Sequence, residues 1–124
     1  MPPIQRFPHP SGLPLSRAIR AGDFLLLSGQ IPVDDSGQVV RGDIATQTHA
    51  VLRRIGETLA LAGAGYGDVV RATVWLADIG DFATFNDVYR SYFGDGFPTR
   101  STVEAKLALD VGIEIEVQAW LGDR

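Results

Sequence analysis

Two stretches in the last quarter of the chain carry side chains that could bind an anion and activate water. In the first, Arg100 follows a Phe-Pro pair, and its guanidinium offers a planar fork of donors that suits a carboxylate. In the second, residues 113–120, Glu114 and Glu116 alternate with apolar residues, so both carboxylates lie on one face of a predicted strand. If the two strands are adjacent, Arg100 could bind an anion while one of these carboxylates serves as a base that activates water.

Each of these residues also has an ordinary structural interpretation. Ten of the eleven basic residues are arginine, so Arg100 could be a plain surface charge. Glu114 and Glu116 could form the solvated face of an amphipathic strand. Trp120 shares that face, however, and carboxylates mixed with tryptophan are common at interfaces and clefts.

Three further segments are weaker candidates. Ser28 and Gly29 could line a site through their backbone, because glycine lets a ligand approach closely, although a simple turn explains them equally well. Asn86 lies on the polar shoulder of a predicted helix, where a purely structural role is the first interpretation. Thr102 follows Arg100 by two residues and offers a small hydroxyl that suits a pocket.

Composition excludes several classes of function. The 124 residues fit one domain, 1–124, with ordinary globular proportions of 45% hydrophobic and 21% charged residues. The net charge of −4 disfavours nucleic acid or an anionic membrane as partner. With no cysteine and two histidines, a metal site or cysteine nucleophile is not expected. No apolar run resembles a signal peptide or a membrane span, so we expect a cytoplasmic protein.

The pattern of residues predicts an α+β domain. Residues 1–13 hold several prolines and read as an extended arm. A hairpin turns at Gly22, and its second strand begins with a continuous apolar run that predicts cover on both faces. Helices are predicted over residues 43–63 and after Asp81, each with a capping aspartate and closing glycines. Three more strands are predicted: residues 68–76, a strand that contains Arg100, and residues 113–120. The predicted order is therefore β-β-α-β-α-β-β.

Two helices can cover only one face of such a sheet. The other face would then be open to water or paired with another subunit. Phe24, Leu26 and either Trp75 or Trp120 are too apolar for a solvent-exposed face, which predicts a homo-oligomer with sheet faces in its interior.

Several short motifs follow one another in a specific order and spacing between about Pro14 and Trp120. They are Ala21–Phe24 with Ser28–Pro32, Gly42–Ile44 with Gln47 and Thr48, Asp68–Leu76, Asp81–Tyr89 with Tyr92 and Phe93, Pro98–Glu104, and Ile113–Glu116. In this combination the chain resembles the RidA/YjgF family of reactive-intermediate (enamine/imine) deaminases.

The resemblance implies a chorismate-mutase-like fold, a mixed sheet with two helices on one face, assembled as a homotrimer with sites between subunits. It implies hydrolysis of 2-aminoacrylate-type enamines or imines to 2-oxo acids and ammonia, without metal or cofactor. Arg100 falls on the family's carboxylate-binding arginine and Glu114 on the carboxylate that positions water. Gly29 falls on a loop whose backbone contacts substrate.

Two positions depart from the family pattern. Leu15 stands where many members carry a tyrosine, so the substrate would be held differently at that wall. Thr102 stands where many carry a cysteine, which removes a thiol but keeps a hydroxyl donor. Alternatives are a non-catalytic trimer that binds a small 2-oxo acid through Arg100, an RNA-cleaving protein, which the negative charge disfavours, and a chorismate mutase, which the motifs match less well.

Overall fold

The computed structural model describes residues 4–94 and 96–122. These residues form one six-stranded sheet in the order β1-β2-β3-β6-β4-β5, in which β4 and β5 are parallel and every other neighbouring pair is antiparallel. The elements are β1 Ile4–Pro8, β2 Ser16–Ala21, β3 Phe24–Leu27, α1 Ile44–Leu61, β4 Val69–Leu76, α2 Phe82–Phe93, β5 Thr99–Glu104 and β6 Ile113–Trp120. The predicted mixed α+β sheet with two helices is therefore confirmed.

The strand β1 was not predicted from the sequence. Residues 4–8 of the proline-rich arm pair antiparallel with β2, and the register shifts between Phe7 and Pro8. Proline lacks an N–H but is tolerated at an edge strand, where one side of the strand makes no ladder bonds. Residues 1–3 of the arm lie outside the described residues.

Both helices pack on the same face of the sheet. The apolar side of α1 supplies Leu52, Ile55 and Leu59, each fully buried, and α2 supplies Phe85. Burying a side chain of this size contributes roughly 1.5–3 kcal/mol. Buried and more exposed residues alternate strictly along β6. One row of its side chains therefore faces the helices, and the other row faces away from them.

The N-terminal cap predicted from the sequence is observed for α1 but only in part for α2. The Asp43 side chain accepts a hydrogen bond of 2.9 Å from the N–H of Thr46, as expected for an N-cap. Asp81 holds the N-cap position of α2, but its side chain makes no capping bond. A short 3₁₀ turn, Ile79–Asp81, precedes α2, and Asp78 caps this turn by accepting a 2.8 Å bond from the N–H of Gly80.

The opposite face of the sheet is free of helices. On it Phe24 is 48% exposed, Leu26 38% and Trp120 52%. The prediction that the apolar run of β3 is covered on both faces is thus wrong for the single chain: Leu25 and Leu27 are buried, while Phe24 and Leu26 are not. Among the described residues, neither α-helix has the length and apolar character needed to cross a membrane.

Candidate active site

Arg100 lies on the helix-covered face of the sheet. Its partner across the parallel β4–β5 pair is Ala72, which is buried beneath the helices. The guanidinium carbon of Arg100 lies 5.6 Å from the ring centroid of Phe82, 5.0 Å from that of Phe85 and 4.9 Å from that of Tyr89. Cation–π contacts of this kind attract a guanidinium, and arginine suits them because its charge is weakly hydrated. The three rings therefore form a shelf that holds the arginine in place.

A cavity of about 380 Å³ opens beside Arg100. Asn86 and Arg90 reach it from α2, where they are one turn apart and so share a helix face. Its remaining lining residues are Tyr89, Phe97 and Pro98. The structure thus brings together two of the residues predicted from the sequence, Arg100 and Asn86.

Two buried hydroxyls on this side of the sheet lack hydrogen-bond partners among the described residues. They belong to Tyr89 and to Thr102, one of the predicted site residues. Burial raises the pKa of Tyr89 to about 12, so its phenol stays protonated at neutral pH. Unpaired polar groups of this kind are uncommon inside proteins, and each needs an explanation such as a catalytic role or a bound water or ion.

Glu114 lies on the other face of the sheet. It is opposite Trp75 of β4, whereas Arg100 is opposite Ala72, and these two residues of β4 point to opposite sides. The strand β4 also separates β5 from β6. The expectation that Arg100 and Glu114 occupy adjacent strands of one cleft is therefore wrong for a single chain, because a side chain on one face of a sheet cannot reach the other.

Gly29 directly contacts the Glu114 side chain. Gln30 exchanges two backbone hydrogen bonds with Ile115, of 2.8 and 3.0 Å, and this bridge brings Gly29 beside Glu114. A Cβ at Gly29 would overlap a carboxylate oxygen of Glu114 and lie 3.1 Å from its carboxyl carbon. Burial, and secondarily the charge of Glu116, raises the pKa of Glu114. Glycine is needed here for space, and the carboxylate it admits is a better base than an exposed one.

The two other predicted substrate contacts, Ser28 and Leu15, are not among the described residues lining the cavity beside Arg100. The Ser28 hydroxyl donates a 2.6 Å bond to the carbonyl of Ser16, and it lines a second cavity of about 300 Å³ with Glu116 and Gln118. Leu15 is 40% exposed, and it is not among the described residues that line either cavity. Its apolar side chain offers no hydrogen-bond donor.

Sequence reasoning missed the aromatic shelf and Arg90. The spacing of Phe82, Phe85 and Tyr89 is typical of the buried apolar face of a helix. Only the contacts of Arg100 with these rings show that they also hold the guanidinium. Within residues 4–94 and 96–122, no group of three or more histidine, aspartate or glutamate side chains is placed to hold a metal ion.

Comparison with known proteins gives consistent matches over nearly the whole chain. The model of the endoribonuclease L-PSP family matches residues 8–121. A RutC family protein of Pyrococcus horikoshii is 49% identical over 115 residues, which are 91% of this chain and 90% of that protein. A human protein named 2-iminobutanoate/2-iminopropanoate deaminase is 41% identical over 107 residues, covering 86% of this chain and 77% of the human one. The crystal structure of yeast Mmf1 has a TM-score of 0.90 at 32% identity, covering 94% of this chain and 98% of Mmf1.

Proposed function

Because the chain belongs to the RidA/YjgF family, whose model is also called endoribonuclease L-PSP, we propose that it deaminates reactive imines by hydrolysis. The substrates would be 2-aminoacrylate-type enamines and their imine tautomers, and the products 2-oxo acids and ammonia. The names of the mammalian relatives, at 41–43% identity, support this activity. The observation that carries the proposal is the guanidinium of Arg100, held on its aromatic shelf beside a cavity.

Arg100 and Glu114 lie on opposite faces of the sheet, so a site that uses both groups must take them from two subunits. If a second copy lays its helix-free face against the cavity, its Glu114 can meet the Arg100 of the first copy. The exposed Phe24, Leu26 and Trp120 make that face suitable for burial against another chain. We therefore include in the proposal a homotrimer with its sites between subunits.

In such a site the hydrolysis requires only two groups of the protein, Arg100 and Glu114. Arg100 binds the substrate carboxylate and orients the C=N carbon toward a water molecule. Glu114 of the second copy takes a proton from that water as its oxygen attacks the carbon, and it passes this proton to the imine nitrogen to give a carbinolamine. As the C–N bond then breaks, Glu114 takes the hydroxyl proton and transfers it to the departing nitrogen, which leaves as ammonia. One water is consumed and one 2-oxo acid is formed.

The test is turnover of an imine made in situ. A PLP-dependent dehydratase converts serine to 2-aminoacrylate, and pyruvate release is followed with and without the protein. We expect clear acceleration over buffer, and an Arg100→Ala variant should lose about 100-fold in kcat/KM because a charged substrate group loses its partner. Arg53→Ala, an exposed arginine on α1, is the matched control and should keep its activity. Equal acceleration by Arg100→Ala, or none by the unaltered protein, would disprove the proposal.

One observation favours a second candidate, a non-catalytic protein that binds small 2-oxo acids. Leu15 offers no hydroxyl at the wall where many family members carry a tyrosine. Calorimetry with pyruvate and 2-oxobutyrate separates the two functions, since tight binding without turnover would indicate a sensor. The net charge of −4 argues against RNA cleavage despite the family model's name, and a gel assay with purified protein checks it.

A further inference from the structure

The cavity beside Arg100 contains a second guanidinium that the proposed reaction does not use. Arg90 lines it from α2, one turn after Asn86. The guanidinium carbon of Arg90 lies 5.7 Å from the ring centroid of Phe97, another lining residue. This contact directs the exposed arginine along the cavity wall, because a guanidinium over an aromatic face loses part of its freedom.

The charge of this cavity contrasts with that of the chain. The whole sequence carries a net charge of −4, yet the described residues that line the cavity include two arginines and no acid. A substrate with one carboxylate neutralises only one of these positive charges. A second anionic group on the same molecule would neutralise the other.

The cavity is also large for the smallest substrates of the proposed reaction. Its volume of about 380 Å³ lies within the range of roughly 300–1,000 Å³ that is usual for pockets that enclose larger small molecules. A three-carbon imino acid bound at Arg100 would leave space toward Arg90. A longer side chain ending in a carboxylate would occupy that space.

We propose that Arg90 makes the site selective for dicarboxylic 2-imino acids, with Arg100 binding the carboxylate next to the imine and Arg90 the carboxylate at the end of the side chain. This inference rests on the proposed function for the identity of the reacting group. The charge preference itself concerns binding, so it can be measured without turnover.

Two stable 2-oxo acids of equal chain length isolate the effect of the second carboxylate. Calorimetric titration at low ionic strength compares 2-oxoglutarate with 2-oxopentanoate, which carries a methyl group in place of the distal carboxylate. We expect 2-oxoglutarate to bind about two- to fivefold more tightly, the gain typical of one exposed ion pair. High salt should reduce this ratio, because screening weakens exposed charge pairs.

Variants of Arg90 assign the preference to one side chain. Arg90→Met removes the charge and keeps an unbranched side chain, and it should bring the ratio of the two dissociation constants close to one. Arg90→Lys keeps a charge and should retain part of the ratio. Arg53→Met makes the same charge change on the exposed side of α1 and should leave the ratio as in the unaltered protein.

Three results would overturn the inference. They are equal affinity of the unaltered protein for the two acids, an unchanged ratio in Arg90→Met, or a smaller assembly of Arg90→Met in sedimentation, which would assign Arg90 to an interface. Turnover of the imine of alanine by the unaltered protein is measured in parallel. A charge preference without turnover would disprove only the deaminase proposal, and turnover without the preference would disprove only this inference.

Discussion

The two faces of the sheet hold the two charged groups of the proposed site in different surroundings. On the helix-covered face, Arg100 lies against three aromatic rings and borders a cavity. On the helix-free face, Glu114 lies against the backbone of Gly29, with Glu116 on the same side of the strand. The arginine is held by aromatic packing, whereas the glutamate is held by a close backbone approach.

The difference follows from the hydration of the two groups. A guanidinium is weakly hydrated and gains from aromatic contact, so partial burial leaves it charged. A carboxylate loses strong hydration on burial, and a neighbouring carboxylate adds repulsion, so both effects raise the pKa of Glu114. One face is therefore suited to bind a charge, and the other to exchange a proton.

The largest expected effect comes from mixing two inactive variants. Arg100→Ala and Glu114→Gln each remove one half of the proposed site, and each should be nearly inactive alone. If the halves come from different subunits, random reassembly of equal amounts restores both groups at about a quarter of the sites. Activity of the mixture should then approach a quarter of that of the unaltered protein.

This experiment tests the comparison of the two faces directly. The variants are mixed in denaturant and refolded together, and each variant refolded alone is the control. A mixture that is no more active than its components would show that one chain supplies both groups or that the chains do not assemble.

A smaller effect is expected from adding one methyl group at Gly29. In Gly29→Ala the Cβ would overlap the carboxylate of Glu114 and force it to move. Misplacement of a catalytic group by about 1 Å can lower the rate about 100-fold, so kcat should fall to that extent while binding of pyruvate to Arg100 changes little. Gly67→Ala is the matched control, because a Cβ there meets nothing within 4 Å. Equal kcat values for the two variants would contradict the close approach.

The smallest expected effect is a change in pH dependence. Glu114 acts as a base only when ionised, so kcat/KM should rise with pH through a midpoint above 4.5, the ordinary glutamate value. Glu116→Gln removes a neighbouring negative charge, which favours ionised Glu114 and should move this midpoint to lower pH. A profile that is unchanged in Glu116→Gln, or a midpoint that moves upward, would contradict the assignment.

The same raised pKa has a consequence for stability. The folded state binds the proton of Glu114 more tightly than the unfolded state does. Its contribution to the free energy of unfolding is therefore fully present below the unfolded pKa and is lost as pH rises through the raised folded pKa. Glu114→Gln should flatten this part of the pH–stability curve, which denaturant unfolding at several pH values measures.

Much of the fold was predictable because local patterns are strong in this chain. The helix predicted at 43–63 is observed at Ile44–Leu61, and its capping aspartate makes the expected bond. The alternation in residues 113–120 correctly assigns the two glutamates and Trp120 to one face of β6. The strand β1 was missed because the prolines in and around it disfavour a strand, and only pairing with β2 stabilises it there.

The amino-acid sequence by itself determined the types of element, the identity of the charged groups and, through its motifs, the family. The tertiary structure decided where those groups lie relative to one another. The side-chain period of a strand is local, so it assigns Glu114 to a row within β6. Whether that row faces Arg100 depends on strand order and register, which arise from long-range pairing. The strand β4 lies between β5 and β6, and its registers pair Ala72 with Arg100 and Trp75 with Glu114, which puts the two charged groups on opposite faces.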